Sequence, residues 1–262
     1  MPHLTLTKHH GLGNDFLVAA NVPAGVDLPA LARRVCDRRR GLGADGLLAW
    51  EPGEPARMVL HNSDGSRAEM SGNGIRCLAQ AMARHLGLVS GRMRIDTDAG
   101  IREITFAPTD DPATITASVA MGEVTSIAAP SSWPALGVDP MRPVAHLALG
   151  NPHAVLLTDD VNAVDIGVLG GRVPEVNLEV IEAGPEPDAV TMRVHERGAG
   201  VTEACGTGAC AAAFAARAWG LYGGEAITVH MDGGDARVEF GPGDQVTLVG
   251  PATFVATIEI EI

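Results

Sequence analysis

The sequence predicts an α+β protein of two pseudo-symmetric domains, each a mostly antiparallel β-sheet or barrel wrapped around a central helix. Three observations carry this reading. The first is an internal repeat: Glu69-Met-Ser-Gly-Asn-Gly74 falls on Glu203-Ala-Cys-Gly-Thr-Gly208 at an offset of 134 residues, without a gap. At the same offset Met58 and His61 fall on Met192 and His195, and Asp98, Gly100 and Phe106 on Asp232, Gly234 and Phe240. A second echo, at an offset of 137, sets His9-His-Gly-Leu-Gly-Asn14 against His146-Leu-Ala-Leu-Gly-Asn151. Solenoid periods are roughly 20–50 residues, so offsets this long mean two similar domains. The second observation is the stretch after each copy. Ala209–Trp219 is apolar nearly all the way round, broken only by Arg217, and Ile75–Leu88 is nearly as apolar. A helix without a polar face must be surrounded. The third is that each half offers many short strands to do the surrounding.

Leu4 and Leu6 alternate with threonines, which predicts an opening strand. The Gly11–Asp15 turn then leads to a second strand at Phe16–Ala19. Asp27 caps a helix predicted over Leu28–Arg39, with Leu31 and Val35 on one face. Gly41-Leu-Gly-Ala-Asp-Gly46 holds three glycines, but no helix start or Lys-Ser/Thr follows, so a tight structural turn is favoured over a phosphate loop. A strand at Leu47–Trp50 follows. Strand Met58–His61 ends at the turn Asn62-Ser-Asp-Gly65. After the helix at Ile75–Leu88, strands Arg92–Thr97 and Ile101–Phe106 form a hairpin across Asp98-Ala99-Gly100. The second half repeats the order, with strands near His146, Ala154–Thr158 and Val176–Ile181, a helical stretch at Val161–Leu169, and a strand at Val190–His195. The helix after Cys205, a hairpin at Ile227–Phe240, and strands Gln245–Leu248 and Thr253–Ile262 complete it. The proline-rich stretches Ala129–Pro143 and Gly184–Asp188 read as surface connections.

A net charge of −13 argues against nucleic acid or an anionic membrane as partner, and aromatics at 3% leave no stacking platform for bases. The four cysteines, at positions 36, 77, 205 and 210, lack C-x-x-C spacing, so neither a zinc site nor a redox pair is indicated. The opening residues lack the apolar core of a leader peptide, and no run approaches the roughly 20 apolar residues of a membrane span. A reducing cytoplasm is the expected setting.

The chemistry concentrates on Cys205. A cysteine immediately before Gly206-Thr207-Gly208 and a run of small helix formers lies at a helix N-terminus. There, unpaired N–H groups and a partial positive charge favour a thiolate and can hold a carboxylate. On local sequence alone a reactive thiol and a small buried residue remain equally open. The repeat adds a second helix start at Ser71-Gly72-Asn73-Gly74. If the two N-termini meet in a cleft, a carboxylate held by both presents its α-carbon between two proton-handling groups, one removing a proton and the other returning it from the opposite face. That inverts a stereocentre without an electron-sink cofactor.

The full chain resembles the diaminopimelate epimerases. The resemblance rests on Gly11-Leu-Gly-Asn-Asp-Phe16, Gly41-Leu-Gly-Ala-Asp-Gly46, Asn62-Ser-Asp-Gly-Ser66, Ser71-Gly-Asn-Gly-Ile-Arg-Cys77, Gly150-Asn-Pro-His153, Val176-Asn177 and Glu196 to Gly208. It implies domains at residues 1–111, completed by a returning strand at 252–262, and at 112–251. It also implies cofactor- and metal-free epimerisation of LL- to meso-diaminopimelate in lysine and cell-wall precursor synthesis, by a homodimer. Carried onto this chain, Cys205 is one catalytic base. Gly72, Asn73, Gly206 and Thr207 supply backbone donors to the reacting carboxylate. Asn14, Asn62, Asn151, Asn177 and Arg197 grip the substrate, Arg197 suiting its distal carboxylate and Glu196 an ammonium group. His153 supports the site.

One position departs from the pattern. Where the family has its other catalytic cysteine, this chain has Ser71. A hydroxyl is not ordinarily ionised near neutral pH, so as a base it needs help. Cys77 does not substitute, because it lies about 9 Å further along the helix axis. Four readings stay open: an engineered Cys→Ser change that traps ligand, a slow natural epimerase, an enzyme for another α-proton reaction such as hydroxyproline dehydration or racemisation, and a non-catalytic amino-acid binder.

Overall fold

The computed structural model describes residues 3–262; Met1 and Pro2, the first two of the opening stretch read above, lie outside them. The chain divides into two compact units. One runs to Val119 and is completed by Gly250–Ile262, and the other is Ala120–Val249.

In the first unit, β1 (His3–Gly11) and β2 (Asn14–Ala20) form a hairpin across Leu12-Gly13, both at positive φ. β2 runs parallel to β3 (Gly46–Glu51), with α1 (Leu28–Cys36) between them in sequence. β4 (Ala56–Asn62) is antiparallel to β3 and also to the short β5 (Arg67–Ala68). After α2 (Gly72–Leu86), β6 (Gly91–Thr97) lies parallel to β4 and turns at Asp98-Ala99 into the antiparallel β7 (Gly100–Pro108). β8 (Thr114–Glu123) is antiparallel to β7, and the chain enters the second unit within it.

The second unit contains β9 (Thr125–Ser126), β10 (Val144–Ala148), β11 (Pro152–Leu157), α3 (Ile166–Gly170), β12 (Asn177–Ala183), β13 (Ala189–Glu196), β14 (Gly200–Thr202), α4 (Gly206–Ala218), β15 (Ala226–Met231), β16 (Gly234–Phe240) and the start of β17 (Gln245–Glu261). Its pairings repeat those of the first. β10 is antiparallel to β11, β11 parallel to β12, β12 antiparallel to β13, β13 parallel to β15 and β15 antiparallel to β16. The chain returns to the first unit within β17, whose later residues pair with β1, His3 opposite Glu261.

Each unit wraps its sheet around one helix. Every residue of α2 from Gly72 to Ala83 is buried, as is every residue of α4 from Gly206 to Ala213. Alanine suits this position in α4 because it costs least in helix propensity and lets strands approach closely. α2 ends in a left-handed Gly87, whose N–H returns to the carbonyls of Ala83 and Arg84. In the second unit, Leu178 and Val180 of β12 pack outward against Leu136, Val173, Val161 and Ile166. Strand alternation therefore turns Asn177 and Glu179 the other way, towards α4.

Several predicted elements differ in extent, α2 among them, which starts at Gly72 rather than Ile75. α1 stops at Cys36 rather than Arg39, because the Asp37 carboxylate takes the N–H groups of Arg39 and Arg40 at 2.7 and 2.8 Å and offers the backbone a turn instead. The stretch Val161–Leu169 breaks into a 3₁₀ turn at Val161–Ala163 and α3, since Asp160 and Asp165 each cap a separate start. The two closing strands are one continuous strand, β17.

The loop at Gly41–Gly46 is a packed structural turn: Leu42 and Gly43 donate to the Val35 carbonyl at 2.8 and 3.1 Å. A β-carbon at Gly41 would lie 2.7 Å from the Val35 oxygen and 2.9 Å from that of Asp37, besides meeting the Arg34 carbonyl. Backbone oxygens cannot yield as a side-chain tip can. Gly41→Ala is expected to lose about 1–3 kcal/mol of stability in urea unfolding; an unchanged midpoint would contradict this packing.

Candidate active site

The two repeated helix starts carry the same cap. Ser71 is the N-cap of α2, its Oγ accepting the Gly74 N–H at 3.0 Å. Cys205 is the N-cap of α4, its Sγ accepting the Gly208 N–H at 3.4 Å. Both residues are extended, both precede a glycine, and both stand at the positive end of a buried helix.

In the first unit the structure joins Asn14 to Asn73 through a chain of hydrogen bonds whose direction is fixed at both ends. Arg76 can only donate, and its Nη2 meets Asn73 Oδ1 at 2.8 Å. Asn73 Nδ2 then donates to Asn14 Oδ1 at 3.2 Å, and Asn14 Nδ2 donates to the Asp45 carboxylate at 2.7 Å. Both amides are thereby oriented. Asp45 is held by Arg38, which also binds Asp15. Burial pushes the Asp15 carboxyl up, but the hydrogen bonds from Arg38 and Lys8 outweigh it and hold it below the usual range. Asn62, at the exposed end of β4, pairs with Gly46 beside Asp45 and donates to Ser66 Oγ at 3.0 Å.

In the second unit a buried line leads to the thiol. Glu179 Oε1 lies 2.6 Å from His153 Nδ1, and His153 Nε2 lies 2.9 Å from Asn151 Oδ1. Asn151 Nδ2 donates to Thr207 Oγ1 at 3.3 Å, and Thr207 Oγ1 is 3.5 Å from Cys205 Sγ. Asn177 clamps the backbone: its Oδ1 accepts the Arg197 N–H at 2.8 Å and its Nδ2 donates to the Pro152 carbonyl at 3.1 Å. Glu196 accepts the Thr202 hydroxyl at 2.6 Å. Arg197 is exposed.

One expectation is corrected. The helix N-terminus by itself favours a thiolate, yet burial, followed by the charges of Glu196 and Glu179, pushes the Cys205 thiol well above its ordinary range, against the opposing bonds from Thr207 and Gly208. Burial likewise pushes the Cys77 thiol up to about 12. Glu179 and Arg76 went unnoticed in the sequence, although each carried a signal: a charge inside an otherwise apolar strand or helix.

The matches to known proteins agree with this architecture. A family model described as diaminopimelate epimerase matches residues 6–127 and 146–255. A diaminopimelate epimerase of Geobacillus kaustophilus is 38% identical over 98% of this chain and 96% of its own. Among solved structures, a PhzF-family phenazine biosynthesis protein of Bacillus anthracis shares the fold with a TM-score of 0.76 at 14% identity, each chain wholly covered. A hydroxyproline epimerase of Agrobacterium vitis, with bound trans-4-hydroxy-L-proline, shares it at 0.68 and 17%, covering 98% of this chain and 92% of its own. The last two show the fold alone. With the family model spanning most of the chain and a near-full-length relative well above 30% identity, the chain belongs to the diaminopimelate epimerase family.

Proposed function

We propose that this protein interconverts LL- and meso-2,6-diaminopimelate by moving the α-proton between two groups, Cys205 and Ser71, without a cofactor. The observation that carries the reading is the equivalence of the two caps on α2 and α4. An α-proton beside a carboxylate is weakly acidic, and removing it places charge on the carboxylate oxygens. The first-turn N–H groups at Gly72-Asn73 and Gly206-Thr207 are suited to that charge, since helix N-termini stabilise anions. In this reading Cys205 and Ser71 are the two proton-handling groups. Ser71, standing where the family has a cysteine, is the weaker of the pair and limits the rate.

Asn14, Asn62, Asn151 and Asn177 read the zwitterion with amides that both donate and accept. Glu196 suits an ammonium group, Arg197 the distal carboxylate, and His153 supports the site through Asn151. The same reading assigns the protein to lysine and cell-wall precursor synthesis, in the cytoplasm, as a homodimer.

Chiral chromatography of LL-diaminopimelate incubated with the protein tests this: meso product should accumulate. Turnover of hydroxyproline with diaminopimelate untouched would move the substrate assignment instead. Arg197→Ala is expected to raise KM for diaminopimelate by about tenfold to a hundredfold, the loss of about one charge-assisted contact, with a smaller change in kcat. An unchanged KM would remove Arg197 from the distal-carboxylate role.

A further inference from the structure

The two units provide an internal control for the pair Glu179–His153. Parallel pairing sets His153 level with Asn177 and Val155 with Glu179 in one unit, and Phe16 level with Gly46 and Val18 with Leu48 in the other. His153 and Glu179 therefore occupy the positions of Phe16 and Leu48. The glycine above each pair is also equivalent. A β-carbon at Gly74 would meet the Phe16 ring at 3.3 Å, whereas one at Gly208 would meet Glu179 Oε1 at 2.6 Å and Cys205 Sγ at 3.3 Å. The same fold is thus built with hydrocarbon beneath the serine cap and with an ionisable pair beneath the cysteine cap.

His153 and Glu179 are both fully buried, and Glu179 Oε2 has no hydrogen-bond partner among the described residues. Burying such a pair costs desolvation that well-packed apolar residues avoid. The first unit shows that the architecture does not require it. Asn151 Oδ1 faces Nε2 and Glu179 Oε1 faces Nδ1, so each ring nitrogen meets an acceptor and the ring is fixed from both sides.

We propose that Glu179 is a positioning residue for Cys205: by pairing with His153 it holds the ring, the Asn151 amide and the Thr207 hydroxyl in the line that ends on the Cys205 sulfur. Its carboxyl faces that sulfur from β12, as Glu196 does from β13; burial pushes the Glu179 carboxyl up, and His153 on β11 opposes that shift. The inference rests on the proton-transfer reading of Cys205 given above.

The test uses Glu179→Gln, which keeps shape and removes charge, and the double variant His153→Phe/Glu179→Leu, which copies the other unit. Three readouts are taken: thermal unfolding, the pH profile of iodoacetamide alkylation at Cys205 resolved peptide by peptide, and α-proton exchange. The double variant is expected to stay folded, because replacing a buried pair by packed apolar groups is often neutral or stabilising, and Glu179→Gln because its amide oxygen can still accept from His153 Nδ1. In Glu179→Gln the alkylation midpoint should fall by about one pH unit, and exchange by about a hundredfold as the line to Cys205 loosens. An alkylation midpoint that stays in place in folded Glu179→Gln, with exchange within about twofold of the parent, overturns the proposal. Alkylation needs no substrate, so a shifted midpoint in a protein that never exchanges diaminopimelate would sink the proposed function and leave the role of Glu179 standing.

Discussion

Replacing Cys205 by alanine is expected to cut α-proton exchange by about a thousandfold or more, within the range that a positioned acid–base group supplies. The fold should survive. The cap bond to the Gly208 N–H is long at 3.4 Å, and losing a cap costs about 1 kcal/mol. The Thr207 hydroxyl, 3.5 Å from the sulfur, has no acidity with which to replace it. Initial rates of isotope exchange, with circular dichroism to confirm folding, check this. A Cys205→Ala protein with full turnover would remove the thiol from the mechanism. Because burial and the charges of Glu196 and Glu179 hold the parent thiol protonated, the fraction able to act as base grows as pH rises, and exchange should climb through and above neutrality.

The second large effect is expected from Ser71→Cys. The change exchanges one heavy atom at a half-buried cap and keeps an acceptor for the Gly74 N–H. A thiol titrates near 8.5, whereas a hydroxyl stays protonated throughout the working range. Epimerisation should rise by at least about tenfold under reducing conditions, measured as initial rates of meso product from LL substrate. A slower variant would mean that the hydroxyl does something a thiol cannot, and would favour a different α-proton reaction.

The two-domain fold was legible because the repeat is written in the residues that build it: Gly72 and Gly206 begin largely apolar helices, and α4, which has no polar face, dictates an enclosing sheet. The caps were legible for the same reason, each being a small side chain just before a glycine. The protonation of Cys205 was not. The helix end that lowers a thiol is local, while the carboxylates that raise it, Glu196 and Glu179, arrive from separate strands. The direction of the amides was hidden too, since Asn14 and Asn73 are oriented by Arg76 and Asp45, which only the folded chain brings to them. The early end of α1 was within reach, because Asp37 ahead of Arg38-Arg39-Arg40 offers an Asx turn. The break at Asp165 was equally available from its capping chemistry.

Proton NMR of LL-diaminopimelate in D₂O with the unaltered protein tests the central claim most directly. The account predicts loss of the α-proton signal with concurrent appearance of the meso isomer, faster at higher pH and absent in Cys205→Ala. An α-proton signal that persists at full intensity while calorimetry shows the same ligand bound would contradict it, and would make the protein a binder of diaminopimelate instead of its epimerase.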